Sequence, residues 1–579
     1  MIQSNYFTTN EDIKEHFYHL INWNEIVPVY ERNFADAQEY AKTGEPRLEM
    51  APNNIDEAIS YYEEILKSCG EISGMYVSQV AQDVDWEGLH FQDGQVTHPQ
   101  AMVDVIQKYH EAGLGPAGFK RKFGGLGVPN VIKAMIAELM YRSDSSITIA
   151  VGSMGLASIL ERCASEEMQN EWIPKIIENK YCVTMGLSEP DFGSDLPNVT
   201  TKAVQVGDQW FVTGTKRFQT VACGINGDPA LTLTLARTGT QESGARGLSF
   251  FIVESQNYSI QGIEKKLGIK ASATCEVVYD HAKAHLVGRE GYGLVKYVMG
   301  MLNGARLSVS SQGTGIATAA WEEAKKYAQE RIQFGKPIAE IPAVKRMLDR
   351  MEREIEGMRC LMVEAAYSVD KYYWTTPDAD SQELSDAKFW EKVANTLTPI
   401  SKYYNSEMCN DLVYDALQVF GGAGYTEDYD LSRLYRDARI TNIYDGTTQI
   451  QVNAAIGGIT SGMSKTGIFR QYLDQIILGI EVSDLLNKVR EEFESLVEAY
   501  KSISDSEVRE EFSFEVVESA ARLVVGSLME RAKAKSSGER KAKRELNCQK
   551  FHIDSLAILS GNGIRIRESV HERILAATV

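Results

Sequence analysis

Apolar side chains are spaced in two ways along the chain, and each spacing indicates a different kind of structure. Over Ile55 to Leu66 and over Val131 to Met140 they recur every three or four residues, the spacing of a helix that buries one face. The uncharged stretch Ser145 to Leu160 is typical of a helix buried in a core. The first 180 residues are therefore predicted to be mostly helical.

A different pattern follows between about residues 181 and 290. Lys202 to Phe211 alternates around a Gly-Asp turn, which indicates a β-hairpin. Leu248 to Val253 and Cys275 to Tyr279 are runs of β-branched and aromatic residues bounded by polar turns, as expected for strands. We therefore expect a β-rich middle domain.

Helical spacing returns after Gly291 in three long segments, Tyr292 to Glu330, Val344 to Tyr373 and Glu383 to Phe420. Gly462 to Lys465 is predicted to be a linker that precedes further helices. The sequence thus predicts a mostly α fold with a central β domain. The expected parts are an N-terminal helical domain (1–180), a middle β domain (181–290), a helical bundle (291–462) and an extra C-terminal helical domain (463–579).

Composition and charge exclude several classes of function. The 579 residues include 60 Lys and Arg against 80 Asp and Glu, and the formal net charge of −20 opposes generic binding to nucleic acid or to anionic lipid. The uncharged stretch 145–160 is shorter than the roughly 20 apolar residues of a membrane span. The eight cysteines form no Cys-x-x-Cys pair. We therefore expect no metal site, no disulfide framework and a cytoplasmic location.

One glycine motif is misleading. Gly113, Gly115 and Gly118 spell G-x-G-x-x-G, which binds dinucleotides only where a strand precedes it and a helix begins within it. Here a helical stretch precedes the motif and Pro116 lies inside it. We interpret it as the end of a helix followed by a turn, and we expect no nicotinamide-binding fold.

Several separated motifs carry candidate chemistry when they are taken together. In chain order they are MGLSEPDFGSD (185–195), FVTG (211–214), KLGIKASAT (266–274), RIQFG (331–335), QVFGGAGY (418–425) and IYDGTTQ (443–449). Each is weak by itself, since turn-rich loops and glycine pairs are common. In this order, across helical, β and helical segments, they closely resemble the acyl-CoA dehydrogenase family. The resemblance covers about residues 100 to 460.

The resemblance implies a middle β-barrel, a C-terminal four-helix bundle and FAD as cofactor. The residues implied at the flavin ring are Met185, Leu187, Ser188, Ser194, Phe211 and Thr213. Those implied at the adenosine diphosphate half of an FAD held by a neighbouring subunit are Arg331, Gln333, Phe334, Gln418, Gly421, Gly422, Thr447 and Gln449. Contacts to an acyl-CoA substrate are implied for Ser194, Asn303, Arg306 and Gly446. A shared cofactor would make oligomerisation necessary for function.

The family's reaction implies a role for Asp445. In these enzymes a carboxylate removes the α proton of a CoA thioester while the β hydrogen leaves as hydride to flavin N5. Most members carry a glutamate directly before Gly-Thr, and this chain has Asp445 there. Some members carry the glutamate on an earlier helix instead, at the position of Ala305, which cannot accept a proton. Asp445 is then the carboxylate expected to act as the base.

An aspartate is one methylene shorter than a glutamate, so its oxygens lie back by roughly 1.5 Å. The acyl group could be bulky, branched or cyclic, or the backbone could shift to compensate. The reaction could also differ, because the nitroalkane oxidases of this superfamily use an aspartate at this position. A catalytically silent flavin-binding scaffold is the fourth alternative.

The C-terminal extension resembles that of longer family members, among them the 3-methylmercaptopropionyl-CoA dehydrogenases. In long members a second helical domain can cover the surface that shorter members use to form tetramers. The resemblance therefore implies a homodimer. Electron-transferring flavoprotein is the implied electron acceptor. A basic residue found farther along in some relatives is replaced by Gly457.

Overall fold

The computed structural model describes residues 1–376 and 379–577, with side chains described as far as residue 568. The chain forms two structural units. Unit 1 contains Met1–Thr9, Glu31–Ala305 and Ser432–Asp437; unit 2 contains Asn10–Tyr30, Arg306–Leu431 and the chain from residue 438 onward. In the described part of the chain, no helix has both the length and the apolar composition needed to cross a bilayer.

The first 180 residues are mostly helical, as predicted. The helices are α1 (Glu11–Glu15), α2 (Trp23–Tyr30), α3 (Ala35–Thr43), α4 (Ile55–Glu71), α5 (Ser78–Glu87), α6 (Gln100–Glu111), α7 (Asn130–Ser143), α8 (Ser145–Gly152), α9 (Leu160–Cys163) and α10 (Glu166–Glu178). The predicted Ser145 to Leu160 helix is α only as far as Gly152 and continues as a 3₁₀ segment. Glycines in this stretch weaken the α-helix.

Eleven strands are formed by the described residues. They are β1 (His90–Gln92), β2 (Gln95–Thr97), β3 (Cys182–Gly186), β4 (Lys202–Val206), β5 (Gln209–Thr220), β6 (Ala230–Arg237), β7 (Leu248–Glu254), β8 (Ser259–Ile263), β9 (Thr274–Leu286), β10 (Ile332–Gln333) and β11 (Lys336–Pro337). The strand pairs β6–β4, β4–β5, β5–β9, β9–β7 and β7–β6 form a closed ring, with β3 beside β6 and β8 beside β9. This is the predicted middle β-barrel.

The alternation of side chains along the strands produces two cores in unit 1. Phe251, Val253, Val277 and Tyr279 belong to one cluster of buried residues. Leu231, Leu233 and Leu235 alternate along β6 and join a second cluster with Trp172 of α10. The two clusters cover the two faces of β6, which is why the whole strand is buried. Its Thr232 and Thr234 are hydrogen-bonded to the Tyr279 hydroxyl.

Unit 2 is helical. Its long helices are α11 (Met299–Glu330, which begins in unit 1), α12 (Pro342–Tyr373), α13 (Ser381–Phe420) and α15 (Thr448–Gly462), preceded by α14 (Leu431–Ala438). The buried Asn405 of α13 donates to Ser310 Oγ of α11 at 2.8 Å and to the Met358 carbonyl of α12 at 3.0 Å. These bonds fix three helices of the bundle to one another. The mostly α fold with a central β domain is thus confirmed.

The C-terminal extension adds helices α16 (Ile468–Ile476), α17 (Asp484–Ser502), α18 (Ser506–Glu511), α19 (Ser513–Lys535) and α20 (Gly538–Ala577). Helices α17, α19 and α20 pack on one another, and α19 also packs on α12 and α15. The segment Asn10–Tyr30 belongs to this unit. Its Asp12 forms ion pairs with Arg359, Arg540 and Arg544. The division into four domains at residues 180, 290 and 462 stays a prediction.

Candidate active site

Asp445 lies in a tight turn just before α15. Its φ of +52° and the φ of +89° at Gly446 are both in the left-handed region. A non-glycine residue pays roughly 1–2 kcal/mol for this conformation, although Asp and Asn tolerate it better than most. The turn therefore needs support from its surroundings.

Side chains from three helices of unit 2 supply that support. Lys402 of α13 donates from Nζ to the Gly446 carbonyl at 2.6 Å. Gln451 of α15 donates from Nε2 to the Asp445 carbonyl at 3.1 Å and to the Gly446 carbonyl at 2.9 Å. Gln451 Oε1 in turn accepts from Nε of Arg306 on α11 at 3.0 Å. Both carbonyls of the turn are thus held.

Bonds on the flanks of the turn hold it to the bundle as well. Glu407 of α13 accepts from Asn442 Nδ2 at 3.0 Å and from the Thr448 hydroxyl. The Tyr444 hydroxyl donates to Gln312 of α11. The backbone on either side of Asp445 is therefore fixed by side chains from two long helices.

The Asp445 carboxylate is half-buried, and no described residue hydrogen-bonds to it. Burial raises the pKa of Asp445 above its usual range, and the nearby Lys402 opposes that rise. Burial also lowers the pKa of Arg306 to about 10. A raised pKa and free lone pairs are the properties of a general base.

In unit 1, the loop after β3 carries Leu187 and Ser188. Lys216 of β5, which is fully buried, donates to the Leu187 carbonyl at 2.9 Å and pairs with Glu189 at 3.0 Å. The Arg217 amide donates to the Ser188 carbonyl at 2.9 Å. Glu189, the acid of the Ser-Glu-Pro motif, is thus a buried structural anchor beside the predicted flavin residues.

The remaining unit 1 candidates lie on β3, β5 and the same loop. Met185 is half-buried at the end of β3, and Ser194 is exposed. Phe211 stacks on His281 of β9 with ring centroids 4.1 Å apart, and the His281 amide donates to Thr213 Oγ1 at 3.3 Å. Aromatic surface and hydroxyl groups therefore lie close together on β5.

The residues predicted for adenosine diphosphate form two neighbouring features of unit 2. Arg331, Gln333 and Phe334 lie on the exposed β10–β11 hairpin, where Phe334 is 91% exposed. Gln418, Gly421 and Gly422 lie where α13 ends. Tyr327 stacks on Phe420 with centroids 4.1 Å apart, which joins the end of α11 to the end of α13. The hairpin and the glycine turn follow directly after these two stacked rings.

Thr447 and Gln449 lie at the start of α15, two and four residues after Asp445. Gln449 Nε2 donates to Asn453 Oδ1 at 2.9 Å and to Ser513 Oγ of α19 at 3.5 Å. The extension therefore reaches the helix that follows the Asp445–Gly446 turn. Asn303 and Arg306 are both buried on α11, Asn303 in unit 1 and Arg306 in unit 2.

The charged residues Arg436, Asp437 and Arg439 are more typical of structural ion pairs than of ligand contacts. Arg436 pairs with Asp85 of α5, and Asp437 accepts from the Ile269 amide at 2.5 Å. Burial raises the pKa of Asp437 to about 7. Both side chains are used within unit 1, which agrees with that interpretation.

Three further side chains lie together in the C-terminal extension. Glu530, Cys548 and His552 are buried, and their potential ligand atoms lie within 4.8 Å of one another. Glu530 already pairs with Lys533, accepts from Ser483 at 2.6 Å and lies 3.0 Å from His552 Nε2. The ammonium group balances the carboxylate, so we interpret the cluster as a buried ion pair.

Comparisons with known proteins bear on the candidate residues of both units. Models of the N-terminal, middle and C-terminal domains of acyl-CoA dehydrogenase match residues 60–180, 184–282 and 291–458. A 3-methylmercaptopropionyl-CoA dehydrogenase of Ruegeria pomeroyi is 32% identical over 426 residues, 70% of each chain. The chain belongs to the acyl-CoA dehydrogenase family.

Solved structures agree with this assignment. An acyl-CoA dehydrogenase of Bacillus anthracis complexed with FAD shares the fold with a TM-score of 0.74 over 88% of each chain, at 20% identity. A structure described as electron transferring flavoprotein of Acidaminococcus fermentans matches with a TM-score of 0.59 at 27% identity, over 68% of this chain and 96% of that one. The first match extends well beyond the three acyl-CoA dehydrogenase domains.

Sequence reasoning missed Lys402, Gln451 and Lys216, which support the loops of this acyl-CoA dehydrogenase family member. Lys402 had a signal, because it is the one charged residue in the segment TLTPISKYY. A lysine is rarely buried without a partner, so such a position points to a buried acceptor. Which acceptor it meets is decided by a turn 44 residues away.

Proposed function

We propose that the chain is an FAD-dependent enzyme that introduces a double bond between the α and β carbons of an acyl-CoA thioester. Asp445 removes the α proton. Membership of the acyl-CoA dehydrogenase family supports the reaction class. The observation that carries the assignment of the base is a half-buried carboxylate, without a hydrogen-bond partner among the described residues, on a turn held by Lys402 and Gln451.

The surroundings of Asp445 suit proton transfer from carbon. An α proton is far too weakly acidic for an ordinary carboxylate, so the base works best when its pKa is raised towards that of its substrate. Burial supplies this rise at Asp445. The positive charge of Lys402 opposes this rise of the Asp445 pKa.

The residues present fit FAD. Phe211, Thr213 and Ser188 offer aromatic surface and hydroxyl groups, which suit a flat ring with polar edges. Arg331 and Gln333 are exposed donors on the β10–β11 hairpin, and a guanidinium matches pyrophosphate oxygens in shape and charge. When bound, FAD supplies the acceptor for the β hydride.

The substrate's acyl group is proposed to be bulky, branched or cyclic. Asp445 reaches roughly 1.5 Å less far than a glutamate would, and proton transfer depends steeply on that distance. A wider acyl group brings its α hydrogen closer to the shorter side chain. Substrate contacts are proposed for Asn303, Arg306, Gly446 and Ser194.

Electron-transferring flavoprotein is the proposed electron acceptor. The family assignment supports this proposal, as does the structural match described as electron transferring flavoprotein of Acidaminococcus fermentans. The test is flavin reoxidation by purified electron-transferring flavoprotein compared with reoxidation by dissolved oxygen.

Anaerobic titration of the FAD-loaded protein tests the reaction. We expect bleaching of flavin absorbance near 450 nm (about the wavelength of any oxidised flavin) by branched or cyclic acyl-CoA esters more than by linear ones. Bleaching by nitroethane alone would instead support a nitroalkane oxidase. Flavin that binds and is never reduced would indicate a scaffold without catalysis.

Asp445→Asn tests the base. Asparagine matches aspartate in shape and tolerates the left-handed turn, so FAD content and thermal stability should stay unchanged. The rate of flavin reduction should fall by on the order of 10³-fold or more, because a general base is lost.

Two further variants complete this experiment. Exposed Asp83→Ala serves as the matched control and should reduce at the wild-type rate. Asp445→Glu should gain activity on linear acyl chains relative to branched ones. A wild-type rate in Asp445→Asn would show that the base lies elsewhere.

A further inference from the structure

Lys402 is a fully buried lysine that contacts the Asp445–Gly446 turn. It lies in a buried stretch of α13, since Ile400, Ser401 and Tyr403 are buried as well. Removing such a charge from water is costly unless it is hydrogen-bonded or paired. The compensation here is the 2.6 Å bond from Nζ to the Gly446 carbonyl.

This bond acts on a part of the backbone with an unfavourable conformation. Asp445 and Gly446 are consecutive left-handed residues, and the carbonyl that Lys402 binds belongs to the second of them. Gln451 binds the same carbonyl from α15. Loss of a hydrogen bond from a charged donor is about as costly as the strain of a left-handed residue. Lys402 is therefore well placed to decide whether the turn is populated.

The charge of Lys402 also reaches the Asp445 carboxylate. Burial lowers the pKa of Lys402 to about 8, while Asp445 and Glu407 raise it and Arg306 lowers it further. Among these groups of α11, α13 and the turn, Lys402 is the one that lowers the pKa of Asp445. The hydrogen bond of Lys402 thus acts on the turn that carries Asp445, and its charge acts on the Asp445 carboxylate.

We propose that Lys402 is a positioning residue that holds the Asp445–Gly446 turn through the Gly446 carbonyl and places a positive charge near the Asp445 carboxylate. The proposal rests on the role of Asp445 proposed above. It assigns two separable effects, one on backbone geometry and one on charge. A residue that only fills space in α13 would produce neither.

Lys402→Met separates these effects from simple packing, because methionine fills a similar volume without charge or donor. We expect the acid limb of the pH profile for flavin reduction, measured at saturating acyl-CoA, to move up by about one pH unit or more. Hydrogen exchange of the amides of residues 442–448 should accelerate by on the order of tenfold. FAD content should stay unchanged.

Three other variants complete the set. Exposed Lys392→Met on the same helix is the matched control and should change neither readout. Lys402→Arg keeps the charge and should keep the acid limb in place. Lys402→Gln keeps a donor without charge, so it should move the limb while leaving exchange nearly unchanged; it also serves if Lys402→Met does not fold.

The outcomes distinguish this proposal from the proposed function. Absence of flavin reduction in the wild type by any acyl-CoA ester or nitroalkane would overturn the function, and hydrogen exchange would still test the turn. An unchanged acid limb in both Lys402→Met and Lys402→Gln, together with unchanged exchange in Lys402→Met, would overturn the positioning role.

Discussion

Two buried lysines, one in each structural unit, support loops that carry candidate site residues. Lys402 holds the Asp445–Gly446 turn, and Lys216 holds the loop of Leu187 through its carbonyl and through Glu189. Burial by itself would raise the pKa of Glu189, but Lys216 and bonds from Thr200 and Thr201 lower it to about 2. Each lysine thus holds the backbone of a loop within its own unit.

The Glu189–Lys216 pair gives a prediction for stability. Lys216→Met leaves Glu189 buried without its counter-charge, and breaking a buried pair in this way costs about 3–5 kcal/mol. Thermal unfolding at pH 7 should detect the loss. Exposed Lys202→Met on β4 is the matched control and should unfold like the wild type.

The same pair predicts a pH dependence. The folded pKa of Glu189 lies below its unfolded value of roughly 4.3, so its stabilisation is present above that value and is lost as the pH falls towards 2. Lys216→Met should weaken this acid-dependent loss. An equally steep loss of stability in the variant would show that other carboxylates cause it.

At the scale of elements, the helix that follows the Asp445–Gly446 turn, α15, packs closely on α13. Gly458 faces Thr396, and a Cβ built at Gly458 would lie 2.2 Å from Thr396 Oγ1. A Cβ at the adjacent Gly457 would meet nothing within 4 Å. The two neighbouring glycines of one helix therefore differ in their surroundings.

This difference provides a paired test. Gly458→Ala forces α15 away from α13 and should destabilise the protein by about 1–3 kcal/mol, as overpacking does. Gly457→Ala should be neutral or stabilising by up to about 1 kcal/mol through helix propensity. Chemical denaturation of both variants measures the difference. Equal stabilities would mean that α15 tolerates displacement from α13.

At the scale of the whole molecule, the extension is built into unit 2. Glu354 of α12 is buried and accepts from Tyr404 of α13 at 2.8 Å while it pairs with Arg522 of α19 at 3.4 Å. A Cβ at Gly357 of α12 would lie 2.7 Å from Val525 of α19. Helix α19 thus covers one face of the bundle closely.

A covered bundle face leads to a prediction about assembly. We expect a homodimer, since α19 occupies bundle surface that would otherwise be free for further subunits. Light scattering at micromolar concentration should give about twice the 64.5 kDa of one chain. A tetramer would contradict this prediction and would require a different surface for assembly.

The sequence by itself determined the kinds of elements, their order and the position of the candidate base. Helices α4, α7, α12 and α13 and strands β4, β5, β7 and β9 lie where local spacing predicts them, because periodicity is a property of neighbouring residues. The motifs identified the family, because each of them is a short run of neighbouring residues. The division into domains and the roles of the cofactor and substrate residues stay predictions.

Only the tertiary structure decided what supports the site. Lys402 and Gly446 are 44 residues apart, Lys216 and Glu189 are 27 apart, and Asp12 meets Arg540 from the other end of the chain. Local spacing carries no information about such pairs, because packing of whole helices and strands brings them together. A single charged residue in an otherwise uncharged segment signals that its side chain has a buried partner. Only the fold specifies which residue that partner is.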